Sequence, residues 1–440
     1  MKQFSLSILL LFLPMMAGAT AYDFVVDGIY YHYDSKNRTA SIASRSTSDA
    51  LFSDMQKYEG DIVIPSEVTY NGRTIPITKV EGSAFSYCTE LHSVILPNSV
   101  TSIGGGAFSM CTSLETVVLP EGLTMIEQDL FNKCRSLVNV EIPSSVISFG
   151  DNAFEGCSSL KKIVMPEGLT KMGNSTFNDC TNLEEVIFSD NLIRVHGFKN
   201  CTSLKNVRLP HGKLQFVDYQ CFENCTSFTV ITLPVIEGTS TKVTKGAYKG
   251  CTNVHKLVIE DGNGTIELPE FKYNQDHPFS GCSIDTIYYG ANVRMEKNNL
   301  FYNLGNLKVL YLGEHTGKMY RFGENIEKIY SMIKDPSQRV PIFPDKVYVN
   351  ATLYVPTGTK EKYMVAEGWE EFFNIVEIDY ESNASGDGTK NTSDIVKTVN
   401  SIMGKVSDGF DEKAADINGD GVVNIADIVK LVNIIMGKPL

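Results

Sequence analysis

Two stretches near the C-terminus place oxygen donors at the alternating spacing that a hard dication requires. Asp416, Asn418, Asp420, Asn424 and Asp427 take positions 1, 3, 5, 9 and 12 of a twelve-residue loop. Val422 supplies a carbonyl at position 7, and Gly421 allows the sharp turn at position 6. Calcium, with its six to eight oxygen ligands, is the ion this pattern suits. Residues 428–437 nearly repeat residues 395–404 at an offset of 33. Carrying that offset back puts Asn383, Ser385, Asp387, Thr389, Asn391 and Asp394 at the matching positions of an earlier loop. Two Ca2+ ions are therefore expected. The second loop offers three carboxylates (Asp416, Asp420, Asp427) and the first two (Asp387, Asp394), so the second site should bind more tightly.

Position 12 is Asp in both loops, and each loop runs into one helix with no clear helix before it. This duplicated loop-helix pattern resembles the dockerin domain, the calcium-dependent module that plugs into a cohesin receptor in bacterial polysaccharide-degrading assemblies. The resemblance implies a small α-helical domain of paired calcium loops over residues 381–440 and a cohesin-type receptor as partner. It also implies that loop positions 10 and 11 set partner choice; here these are Thr392-Ser393 and Ile425-Ala426.

The elements that carry this module forward are set by a repeat. Cysteines fall at 88, 111, 134, 157 and 180, a constant spacing of 23. The surrounding text recurs with them: Ala84-Phe85-Ser86-Tyr87-Cys88, Ala107-Phe108-Ser109-Met110-Cys111, Ala153-Phe154-Glu155-Gly156-Cys157, each followed by a short apolar strand and a proline. Repeats of about 20–29 residues with an L-x-x-L-x-L core stack into solenoids. Strand, then L-P, then I-G, then A-F-x-x-C resembles the BspA-like leucine-rich repeat of bacterial surface antigens. The expectation is a curved leucine-rich-repeat solenoid, with a strand and a loop or short helix in each coil. Residues 22–80 form its N-terminal cap, 81–345 the repeats and 346–380 a C-terminal capping coil. Caps are needed because an open end would expose core and unpaired strand edges.

Side chains alternate along a strand. In L-x-x-V-x-L the leucines and valine therefore point inward, and the residues between them line the concave face. One such column contains Ile95, Val118, Glu141, Val164, Ile187, Tyr288 and Tyr311. Its apolar members have two readings: β-propensity alone, or a surface for an unidentified protein ligand.

Residues 1–21 read as a signal peptide: Lys2, an apolar run from Leu6 to Met16, then Ala19-Thr20-Ala21. That run is too short to span a membrane, which takes about 20 residues. A net charge of −13 disfavours nucleic acid. Nine of the ten cysteines hold one phase of the repeat and are expected as a ladder of packed thiols; Cys221 stands where other coils have Ala. The seven histidines show no ligand spacing, and no nucleophile-base pair is legible. The chain reads as a secreted, non-catalytic interaction protein. Assembly into an extracellular, polysaccharide-degrading complex is what the dockerin resemblance implies. The alternative is an adhesin for host or neighbouring-cell proteins, with the calcium module as a structural cap.

Overall fold

The structure, a computed structural model, describes residues 22–44, 58–268, 277–295, 301, 304–314, 316–317 and 322–378. It divides into two units, Met1–Leu183 and Glu184–Leu440.

In the first unit, strands Phe24–Val26, Ile29–Asp34 and Thr39–Ile42 form an antiparallel meander. Asp27-Gly28 closes its first hairpin with φ of 48° and 79°, and Asn71-Gly72 closes a second between Glu67–Tyr70 and Arg73–Val80 with 48° and 75°. Positive φ at both central residues matches the twist of the flanking strands, which is why Asp-Gly and Asn-Gly serve here. The meander joins the coils through Arg73–Val80, which pairs in parallel with both Thr39–Ile42 and Ser102–Ile103.

Each coil then turns three corners. The first side is the expected strand: Leu91–Ile95 lies parallel to Gly60–Val63 and to Thr116–Val118. Leu91, Val94 and Leu96 are buried beneath it. A second side carries another, shorter strand in the I-G segment, as in Met125–Ile126 against Ser148–Phe149. Coils approach closely here: a Cβ on Gly150 would meet the backbone nitrogen of Gln128, so only glycine fits.

Of the expected loop or short helix, the third side, A-F-x-x-C, takes the loop. Between residues 81 and 268 it forms no helix but a succession of tight turns, closed by bonds such as Cys111 N–H to Phe108 O (3.2 Å). The residue before the cysteine is left-handed, with φ of 61° at Tyr87, 62° at Met110 and 59° at Lys133, and that conformation stops a helix. The freed amides bond the next coil instead: Phe85 to Ala107 O and Tyr87 to Ser109 O, both 2.8 Å.

Inside this corner the phenylalanines stack coil on coil, Phe85, Phe108, Phe131, Phe154 and Phe177, with centroids 5.1–5.5 Å apart. The cysteines line up beside them. Cys111 Sγ donates to Phe85 O at 3.0 Å, Cys134 to Phe108 O at 3.0 Å and Cys157 to Phe131 O at 3.1 Å. All ten cysteines remain thiols, nine of them buried. Burial pushes the Cys134 thiol well above its usual range.

The second unit holds a seven-stranded parallel sheet, Val230–Leu233, Lys256–Ile259, Thr286–Tyr289, Val309–Leu312, Lys328–Ser331, Thr352–Pro356 and Asn374–Ile378. A five-stranded parallel sheet begins at Arg194–Val195 and ends at Asn292–Met295. The same aromatic stacking runs through Phe198, Phe222 and Tyr248 at 5.5 and 5.2 Å. Its last coil contains two short helices, Asp345–Asn350 and Lys360–Tyr363. That coil is pinned by Trp369, fully buried, whose Nε1 donates to Arg339 O at 2.6 Å.

Candidate interaction surface

Strand alternation leaves one outward column on the first unit, and its members are apolar. Val63, Ile95, Val118 and Val164 are 68%, 44%, 53% and 47% exposed, on coils whose inward neighbours are buried. Glu141, also exposed, interrupts the column. The parallel column is polar: Asp61, Ser93, Thr116, Asn139 and Lys162, with Ser93 Oγ donating to Asp61 Oδ1 at 2.6 Å. The expected sites Ile95, Val118 and Val164 thus share one open face, and Val63, which the repeat pattern did not reach, extends it.

On the second unit Ile187 is equally open. Further along, register places Thr232, Val258, Tyr288, Tyr311, Tyr330, Tyr354 and Val376 in one row. Neighbouring parallel strands lie about 4.7–4.9 Å apart, which matches ring stacking. Tyr311 and Tyr330 stack at 4.8 Å and 12°, Tyr330 and Tyr354 at 4.6 Å and 10°. Tyr288 tilts at 6.4 Å from Tyr311, and its hydroxyl donates to Asp261 Oδ2 at 2.6 Å. Tyr288 and Tyr330 are only 9% exposed. Burial, then the neighbouring Tyr330, pushes the Tyr311 phenol up to about 12. Rings stacked in this way cover each other's faces and offer edges, unlike a flat platform for a sugar ring. Tyr330 and Tyr354 escaped the sequence reading, although Ile329-Tyr330 and Leu353-Tyr354 keep the in-out alternation that identified Tyr311.

A cavity of about 810 Å³ on the second unit is lined by His255, Asp285, Lys308, Glu327, Lys346 and Asn350, among others. Within it His255 Nδ1 lies 3.5 Å from Asp285 Oδ2, and Lys308 pairs with Glu327 at 3.3 Å. The calcium-loop positions Asn383 to Asp394 and Asp416 to Asp427, with the pairs Thr392-Ser393 and Ile425-Ala426, lie outside the described residues. So does the signal segment. Among the described residues, no group of three or more His, Cys, Asp or Glu is placed to hold a metal ion, and no helix is long and apolar enough to cross a membrane.

Residues 78–197, 192–308 and 265–329 match the BspA type leucine rich repeat region, in six copies. With over half of the chain covered, the protein belongs to this family, whose members are bacterial surface proteins. Among solved structures, the chain is similar to a leucine-rich repeat protein from Bacteroides ovatus (22% identity, 81% of this chain and 100% of that chain, TM-score 0.49). It is also similar to a leucine rich cell surface protein from Faecalibacterium prausnitzii (17%, 84% and 97%, TM-score 0.40). A third is the pneumococcal vaccine antigen PcpA (16%, 81% and 98%, TM-score 0.35). No curated protein matches the chain.

Proposed function

We propose that the protein is an exported, non-catalytic interaction protein. Its strand face holds a protein ligand, and residues 381–440 attach it, through two calcium ions, to a cohesin-type receptor in an extracellular complex concerned with polysaccharide breakdown. One observation carries the first half: four aliphatic side chains, Val63, Ile95, Val118 and Val164, stand open to solvent in one column of a single unit. An apolar stripe of this kind, rimmed by polar residues, is the composition of a protein-binding surface. Membership of a family of surface proteins supports the same reading. The second half rests on the donor spacing of the two C-terminal loops and on their resemblance to dockerins.

The test uses the tagged full chain against the envelope proteins of the secreting cell, with calcium and with chelator. Calcium-dependent capture of a scaffold bearing cohesin-like repeats, lost in Asp420→Ala, supports the assembly. Capture that ignores chelator but is lost in Val118→Lys assigns the protein to adhesion, with the calcium module as a structural cap.

A further inference from the structure

The last coil leaves uncovered what earlier coils bury. Among the described residues, no large apolar side chain between positions 220 and 339 is exposed, whereas seven are between 340 and 376. Val365 and Phe373 are 82% and 79% exposed, more than any other large apolar residue described. Other exposed residues of the coil lie near the segments that carry them. Phe373 N–H donates to Tyr348 O at 3.1 Å, beside the exposed Val349. A Cβ on Gly368 would lie 3.1 Å from exposed Val340, so the turn that follows Val365 rests against that residue. The strand Asn374–Ile378 ends the sheet and, among the described residues, pairs on one side only, with Thr352–Pro356. An open strand edge beside exposed apolar side chains is a template for unwanted pairing.

The chain itself offers the cover. Residues 379–440 continue directly from that edge strand, and residues 428–436 are more apolar than one helix face needs. At 3.6 residues per turn, Ile428, Val429, Leu431, Val432, Ile434, Ile435 and Met436 would span roughly 220° of a helix, against the stripe of about 100° that suffices for one packing face. In the first repeat, Thr398 and Ser401 stand where the second has Leu431 and Ile434, which narrows the apolar arc to roughly 120°. The duplication therefore differs by one extra apolar stripe. A tethered segment meets its target at an effective concentration around millimolar, well above that of a second copy or a free receptor.

We propose that residues 428–436 pack the stripe containing Leu431 and Ile434 onto the last coil at Val365 and Phe373, covering the edge of Asn374–Ile378. The inference stands apart from the identity of any receptor. It is tested on the full chain by hydrogen exchange at residues 374–378, in Leu431→Thr/Ile434→Ser, which copies the first repeat, and in Phe373→Asp, which alters an already exposed site. Calcium stoichiometry is measured alongside. Exchange at least ten-fold faster in both variants, with calcium binding intact, is expected. Unchanged exchange in either variant overturns the proposal. So does loss of receptor capture in Leu431→Thr/Ile434→Ser without altered exchange, which makes the receptor the occupant. A dimeric wild type that becomes monomeric in Phe373→Asp assigns the face to a second copy and overturns it equally.

Discussion

The outward strand column is aliphatic and open from Val63 to Val164 in the first unit and at Ile187 in the second, and aromatic and largely closed from Tyr288 to Tyr354. The backbone rule is the same in both units: parallel, in-register strands bring one residue per coil into a row. What differs is reach. Val118 and its neighbours are too short to cover one another and stay about half exposed. The rings of Tyr311, Tyr330 and Tyr354 span the gap between strands and stack at 4.8 and 4.6 Å, which turns a solvent face into a second packed layer. Exposure at these positions thus follows the reach of a side chain and of its neighbours in the row. Within the column, free apolar area lies with the aliphatic residues, while the tyrosine row has largely used its own.

The largest expected effect follows from that contrast. Tyr330→Ala removes a ring stacked on both sides and 9% exposed, and should destabilise the protein by about 2–3 kcal/mol, somewhat under the cost of a fully buried aromatic. Denaturant unfolding measures it. A loss below about 0.5 kcal/mol, the range of ordinary surface changes, would show that the row contributes no packing and would erase the difference between the two faces.

Next in size is the thiol ladder, which the two units share. Cys134→Ala removes the sulfur from a fully buried site, yet Phe108 O keeps its turn bond from Cys111 N–H. The loss is mainly volume, about 1–2 kcal/mol. Alkylation under denaturing, non-reducing conditions should modify all ten cysteines; protected pairs would replace the packing account with a covalent one.

Much of this was legible before the structure because it is local. The constant 23-residue cysteine spacing fixes the phase of each coil, and period-2 alternation then assigns Val94 and Leu96 inward and Ile95 outward, while Leu91, three residues before Val94, is placed by the L-x-x-V-x-L repeat. Three features were not legible, for physical reasons. Strands of two residues such as Ser102–Ile103 are too short to show any alternation. The left-handed residue that forbids a helix at the cysteine corner is Tyr87, Met110 or Lys133 in the first coils, types that give no turn signal; only from Gly156 and Asp179 onward is it Gly, Asp or Asn. Tyr330 stands in Ile326-Glu327-Lys328-Ile329-Tyr330-Ser331, which lacks the closing leucine of the motif, and Tyr354 falls in the segment expected as the capping coil. The calcium loops were read from donor spacing, and they lie outside the described residues.

A smaller effect separates the faces by pH. Tyr311 is pushed up to about 12 by burial and then by Tyr330, so above pH 10 the unfolded chain releases this proton more readily than the folded one. Stability contributed by the neutral phenol is full below pH 10 and falls as pH rises through about 12. Tyr31, in the first unit, is raised to about 12 as well, by burial and then Asp27, so the wild-type curve reports both units. The alkaline loss should shrink in Tyr311→Phe and survive in Val118→Thr. An equal loss in Tyr311→Phe and wild type would mean that this phenol titrates as if exposed.

The smallest effect on stability is the most informative about function. Val118→Thr keeps the β-branched shape that suits a strand and exchanges one methyl for a hydroxyl at a side chain 53% exposed. Water can hydrate that hydroxyl in the unliganded protein, so unfolding should shift by less than about 0.5 kcal/mol. A ligand seated on the column would instead desolvate the hydroxyl without offering it a partner, at a cost of about 1–3 kcal/mol, or roughly ten-fold or more in affinity. Unfolding and ligand capture measured on the same variant separate the two readings of the column. Weakened capture at unchanged stability makes it a binding surface, and unchanged capture leaves Val63, Ile95, Val118 and Val164 as residues chosen for the pleat alone.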